Sequence, residues 1–231
     1  MQRMNETLLQ AAALIIPMIM AIVFHEVAHG WTALMLGDST ASEQRRLSLN
    51  PLRHVDTFGT ILLPGMLALM KAPVFGWAKP VPVNKWRLRD PRRGMMLVAA
   101  AGPLSNLVLA AIGAVLLGLL ARTAGNSDSA PLAFLAMNLN NFIMINVFLA
   151  FFNLLPIPPF DGSHIVEGLL PREAARGYAR LRPYGFALVF LVLLVIPALF
   201  PGWGVVQRIV VPPVEWLGDH FYGLAQRIAE G

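Results

Sequence analysis

From Leu8 to Phe24 the chain is an apolar run broken only by Gln10, and three comparable stretches follow, at roughly 94 to 120, 131 to 156 and 184 to 200. A helix needs about 20 apolar residues to cross a hydrocarbon core, so each stretch can span one, the last only just. Lipid offers no partner to backbone N–H and C=O groups, which restricts such segments to helices. The expected fold is an all-α integral membrane protein, a polytopic helical bundle. Its membrane domain covers residues 1–200, with spans at about 8–36, 94–120, 131–156 and 184–200. Residues 201–231 follow as an interfacial C-terminal tail with Trp203, Trp216, Phe221 and Tyr222 as aromatic anchors. Thr57 to Met70 is too short to span, and its Gly59, Pro64 and Gly65 suit a short re-entrant or interfacial hairpin. Only Arg3 against Glu6 precedes the first run and no small-x-small cleavage site follows it, so it reads as a retained span, not a signal peptide.

Charge gives the orientation. Only 13% of the residues are charged, about half the share usual in soluble proteins. Ten of the 18 Lys and Arg residues lie between the first and second spans, and Arg172, Arg176, Arg180 and Arg182 lie between the third and fourth. Basic loops stay in the cytoplasm, so these loops are expected to be cytoplasmic and both termini outside, in a multi-pass protein of a prokaryotic cell membrane. The formal charge of +5 is then a matter of topology, and nothing calls for nucleic acid as a partner. With no cysteine in the chain, any metal must be held by His, Asp or Glu.

The first apolar run leads directly into His25-Glu26-Val27-Ala28-His29. Histidines four residues apart stand one above the other on a helix and can share an ion. Glu26, rotated off that axis, is placed to take a proton from water at the metal. At bilayer depth an unpartnered ionisable group costs roughly 2.5–3.5 kcal/mol on insertion scales, so a trio there is unlike a chance motif on a soluble surface. Catalytic zinc takes three protein ligands. Asp161 follows Pro156, Pro158 and Pro159, which must break the third span, and the first and third spans run in the same direction, so Asp161 arrives at the level of the histidines. His164, three residues on, competes with it. His54, in a basic loop, and His220, on the opposite side, read as solvated.

These residues resemble the site-2 protease family of intramembrane zinc metalloproteases, in its short form without PDZ or CBS domains. The resemblance rests on His25-Glu26-Val27-Ala28-His29-Gly30 and on Asn153-Leu154-Leu155-Pro156-Ile157-Pro158-Pro159-Phe160-Asp161-Gly162, which matches the family pattern NxxPxPxxDG. Leu49-Asn50-Pro51, Phe75-Gly76-Trp77-Ala78-Lys79-Pro80 and Ala101-Gly102-Pro103-Leu104-Ser105-Asn106 stand between them. It implies a three-helix catalytic core around one Zn2+ per chain, held by His25, His29 and Asp161. Glu26 is the implied general base, and Asn153 is implied to assist near the scissile carbonyl. An amide there could stabilise an oxyanion, while Asn in a membrane helix serves equally as an interhelical hydrogen bonder. Asn106, beside Pro103, reads as packing for the second span.

The activity implied is zinc endopeptidase action within or near a transmembrane segment of a membrane protein substrate, with substrate and lipid bilayer as partners. Oligomeric state is not readable. The Pro- and Gly-rich stretch from Phe75 to Asn84 is extended enough to pair with an unwound substrate strand, which makes Gly76, Trp77, Lys79, Pro80 and Val81 candidate substrate-binding residues; the alternative is a surface loop anchored by Trp77 and Trp86. Two other functions use the same ligands. A metal-binding membrane transporter would need ligands along a path and broken helices in related halves, and a catalytically silent helix-binding relative would not need Glu26.

Overall fold

The structure, a computed structural model, describes residues 2–62, 65–66, 69, 78–125, 129–200 and 203–231. The first apolar run is helix α1 (Gln2–Met35), with Pro17 inside it. It ends at Gly37, whose φ of +109° is the left-handed cap conformation that glycine adopts without strain. Helix α2 (Pro91–Ala124) starts under an Asp90 N-cap that accepts from the backbone N–H of Arg92 and Arg93, both at 3.0 Å. Proline at the first helical position loses only an N–H that would have no partner there. Helix α3 (Ala130–Asn153) stops before Pro156, Pro158 and Pro159, and α4 (Asp161–Leu169) and α5 (Arg172–Ala179) follow. Helix α6 (Gly185–Phe190) continues through a π-helical turn, Leu191–Val195, into Ile196–Leu199; a second such turn, Val206–Val210, leads into α7 (Val211–Glu230). No strand occurs among the described residues.

Among the described residues, four helical stretches are long and apolar enough to cross a membrane: Leu8–Met35, Pro91–Ala124, Ala130–Asn153 and Arg172–Leu199. The hairpin expected at 57–70 is described mainly as a π-helical turn, Thr57–Leu62; residues 63–64, 67–68 and 70 of it lie outside the described residues.

Helix α2 is central, packing against α1, α3, α4 and α7. Its buried positions include Gly102, Asn106, Ala110, Gly113, Ala114 and Gly118, a stripe of small residues that lets neighbouring backbones approach, as membrane helices require. Each glycine serves a different neighbour. A Cβ on Gly113 would stand 3.1 Å from Ile143 and Phe142 of α3, and one on Gly118 would stand 2.5 Å from the carbonyl oxygen of Ala225 on α7. The chain beyond residue 201 therefore includes a helix that docks along α2 and α3, burying Val214, Gly218 and Ala225. The fourth apolar stretch behaves differently. Only 6% of its most apolar window is buried within the molecule, and the core of α2, α3 and α7 closes without it.

Candidate metal centre

One turn of α1 and the first residue of α4 bring three donors together. His25 Nε2 and His29 Nε2 are 3.0 Å apart, and Asp161 Oδ2 lies 3.1 Å from the first and 3.3 Å from the second. The outward-facing nitrogens fix which atoms carry protons when the rings are neutral, as metal ligands must be. Asn106 donates its amide to Ala21 O at 3.2 Å and to Asn146 Oδ1 at 2.8 Å. That orientation leaves Asn106 Oδ1 as the acceptor 2.6 Å from His25 Nδ1, which must be the donor. His29 Nδ1 donates to Val98 O at 2.7 Å. Both Nε2 atoms therefore turn lone pairs toward each other and toward a carboxylate oxygen that is buried without a hydrogen-bond donor.

Two ring nitrogens and a carboxylate oxygen converging in this way need a cation among them, and a metal ion serves all three at once. Donors held tetrahedrally at about 2.0–2.1 Å from a zinc ion stand about 3.3–3.4 Å from one another, close to the 3.0–3.3 Å found here. Among the described residues this is the one group of three His or acidic side chains with metal-site spacing. The outer hydrogen bonds to Asn106 and Val98 are of the kind that set ring orientation and ligand basicity in metal sites.

The surroundings explain why these side chains can meet. A Cβ on Gly102 would lie 2.5 Å from two ring atoms of His29 and 2.6 Å from His25 Cε1, so α2 can carry nothing larger than hydrogen there. Gly162 plays the same part for Asp161: a Cβ on it would fall on the carbonyl carbon of Leu154 and the carbonyl oxygen of Leu155, 2.5 Å from each. The proline-broken chain thus folds tightly onto the end of α3. Glu26 Oε2 accepts from Val81 N at 2.8 Å, tying the HExxH turn to the irregular segment before α2. That segment is held in turn by Arg46, which donates to Lys79 O at 2.9 Å and Pro80 O at 3.3 Å, and by Asp38, which accepts from Asn84 N at 2.6 Å. Burial pushes the Asp38 carboxyl up, but hydrogen bonds from Thr40 and Asn84 outweigh it and hold the group below its ordinary value of 3.8.

The other sequence candidates are distributed as follows. His164 lies outside the donor cluster: its Nδ1 accepts from Arg182 at 3.1 Å, and burial, then the Arg182 charge, hold its pKa below the ordinary 6.5. Asn153 donates to Leu149 O of its own helix at 3.0 Å. Of the α3 asparagines it is Asn146 that reaches the centre, through Asn106. Lys79, Pro80 and Val81 lie on the irregular segment before α2, whereas Gly76 and Trp77 fall outside the described residues. His54 corrects the expectation of a solvated ring: it is 3% exposed, with Nε2 2.8 Å from Ser48 O, because the loop folds back over it and Lys79 N donates to its carbonyl at 2.8 Å. His220 is exposed, its Nδ1 against Trp216 O. Sequence reasoning missed Asn106, Val98, Gly102 and Asn146 as the support of the centre. The available signal was the four-residue spacing of Gly102 and Asn106, which puts both on one helical face.

Comparison with known proteins points the same way. The sequence pattern of peptidase family M50 matches residues 118–196. Relatives that carry the name "Putative zinc metalloprotease" include the following. YwhC of Bacillus subtilis (strain 168) is 42% identical over 184 residues, 80% of each chain. Rip2 of Mycolicibacterium smegmatis is 32% identical over 182 residues, 78% of this chain and 66% of the relative. Rip2 of Mycobacterium tuberculosis (strain H37Rv) is 32% identical over 219 residues, 91% and 74% of the two chains. No solved structure gives a significant match.

Proposed function

The chain belongs to peptidase family M50, the site-2 proteases, and from that membership and the donor geometry we propose that it is an intramembrane zinc endopeptidase cutting a peptide bond within or near a transmembrane segment of another protein. That it is a metalloprotease of a multi-pass, all-α membrane type is the established part. The observation that carries the finer reading is the meeting of His25 Nε2, His29 Nε2 and Asp161 Oδ2 within 3.0–3.3 Å of one another, with both Nδ1 protons turned away.

In this reading His25, His29 and Asp161 hold one zinc ion per chain. When bound, zinc supplies Lewis acidity that polarises a carbonyl and acidifies water. Glu26 is the general base. Its Oε2 is fixed by Val81 N–H at 2.8 Å, which leaves Oε1 to receive a proton from the attacking water and pass it to the leaving amine. Asn153 is assigned an assisting role near the scissile carbonyl, which requires its amide to leave Leu149 O.

Lys79, Pro80 and Val81, with Gly76 and Trp77, are assigned to substrate contact. A helical substrate hides its peptide bonds until it is unwound, and an extended segment can receive the unwound strand. Pro80 and Pro82 lack an N–H, and the N–H groups of Lys79 and Val81 are taken by His54 and Glu26. The edge from 79 to 83 thus offers the Val83 N–H and the carbonyls of Val81, Pro82 and Val83. We assign residues 1–200 to the membrane protease domain and 201–231 to a tail. The basic loops are placed in the cytoplasm and both termini outside, so the donors, set toward the Met35 end of α1, open to cytoplasmic water.

The test is to purify the full chain in detergent, measure bound zinc, and follow cleavage of a model transmembrane substrate by wild type and Glu26→Gln. The expected result is about one zinc per chain in both proteins and cleavage by the wild type alone. Cleavage by Glu26→Gln, or a wild type that holds no zinc, rejects the reading.

A further inference from the structure

Beside the donor cluster, but lined by none of its three residues, lies a cavity of about 330 Å³ between the first turn of α2 and helices α4 and α5. Its rim carries Lys85, Arg92, Arg172, Arg176 and Arg182. Glu167, the one carboxylate lining it, is paired with Arg182. Arg92 donates to the Glu167 carbonyl at 3.2–3.3 Å, so Arg92 and Arg182 brace the wall. Arg172 and Arg176 are exposed and have no acidic partner among the described residues. The floor is apolar, with Met95, Ala175 and Ala179, and Trp86 at its edge is 75% exposed. The cavity opens where two of the helical stretches able to cross a membrane begin, at Pro91 and at Arg172, the level at which headgroups would lie.

We propose that this cavity binds the phosphodiester headgroup of an anionic phospholipid, with Arg172 and Arg176 supplying the free charges. A cationic rim alone would suit any phosphate. An apolar floor and an exposed indole beneath that rim suit a phosphate joined to an apolar body, and basic pockets between membrane helices are known headgroup sites. Because α4 carries Asp161 at its first residue and Glu167, His164 and Gly168 at the cavity wall, a bound headgroup would brace the helix that delivers the third donor. The proposal rests on the chain lying in a membrane and not on its proteolytic activity.

The test uses the full chain purified in mixed micelles of phosphatidylglycerol and phosphatidylcholine, with retained lipid counted by native mass spectrometry. Each surface cation contributes about fivefold to anionic lipid binding, so Arg172→Gln with Arg176→Gln should weaken phosphatidylglycerol retention about 30-fold, with zinc content and thermal midpoint unchanged. Arg53→Gln with Arg89→Gln, which removes two exposed cations that do not line the cavity, should leave retention at the wild-type level. Equal retention of both lipids by the wild type overturns the proposal, as does an equal loss in the Arg53/Arg89 pair. Release of the lipid by millimolar inorganic phosphate overturns it too, by making a soluble phosphate the ligand. Failure of Glu26→Gln to abolish cleavage leaves this readout untouched, so the two readings fail separately.

Discussion

Replacing Gly102 by alanine is the sharpest test of the packing behind the donor cluster, because two principles predict opposite signs. In a helix interior, Gly to Ala is normally favourable by about 1 kcal/mol. Here the new Cβ would stand 2.5 Å from Nε2 and Cε1 of His29 and 2.6 Å from Cε1 of His25. Ordinary contact needs roughly 3.5 Å, so both rings must retreat by about 1 Å. They cannot do so freely. His25 is tied to Asn106 at 2.6 Å and His29 to Val98 at 2.7 Å, and each bond is worth about 0.5–1.5 kcal/mol net. Overpacking costs typically about 1–3 kcal/mol, so with both hydrogen bonds lost Gly102→Ala should lose about 1–5 kcal/mol after the helix gain is subtracted. Disturbed outer-shell geometry should also weaken metal binding about 10–100-fold. Chelator competition and thermal melting on protein purified in detergent read both effects. A variant that melts higher than wild type and binds zinc as tightly would refute this account of the packing.

Other consequences are checked with the same protein. Asn106→Leu removes the acceptor of His25 Nδ1 and the donor to Asn146 Oδ1 at a fully buried position, and zinc affinity should fall about 10–100-fold with Glu26 intact. Gly118→Leu collides with Ala225 and Ile228, so the thermal midpoint should fall, by about 1–3 kcal/mol of stability, while bound zinc stays at the wild-type level. Asp38 has a folded pKa below 3.8, so its stabilising contribution is complete above that value and disappears as the pH falls through the lower folded one. Melting curves between pH 3 and 6 should show this acid loss in the wild type and a flatter profile, from a lower starting stability, in Asp38→Asn.

The spans were legible because hydropathy over 20 residues is a strong signal, and HExxH because a four-residue interval has a fixed meaning on a helix. The level of Asp161 was legible because three prolines fix where the third span breaks, while its choice over His164 came from the family resemblance. What sequence could not apportion was the use of each buried asparagine. Asn106, Asn141, Asn146 and Asn153 look alike in an apolar helix, yet Asn106 orients a histidine, Asn141 ties α3 to Ala13 of α1, and Asn153 satisfies its own helix. Which applies depends on helix rotation, and the small residues of α2 that set it read only as generic packing. Helix α7 was obscured for another reason. Pro212 and Pro213 resemble breakers until their place in the first turn is known, where proline is tolerated.

The wide separation of the donors along the chain also sets an order in time. His25 and His29 are made and inserted early, but Asp161 leaves the ribosome well over a hundred residues later, roughly 7–27 s at about 5–20 residues per second. Until then the cluster has two nitrogens and no carboxylate. A metalloprotease for which we propose membrane helices as substrates would thus be kept incomplete while its own helices are being threaded into the bilayer.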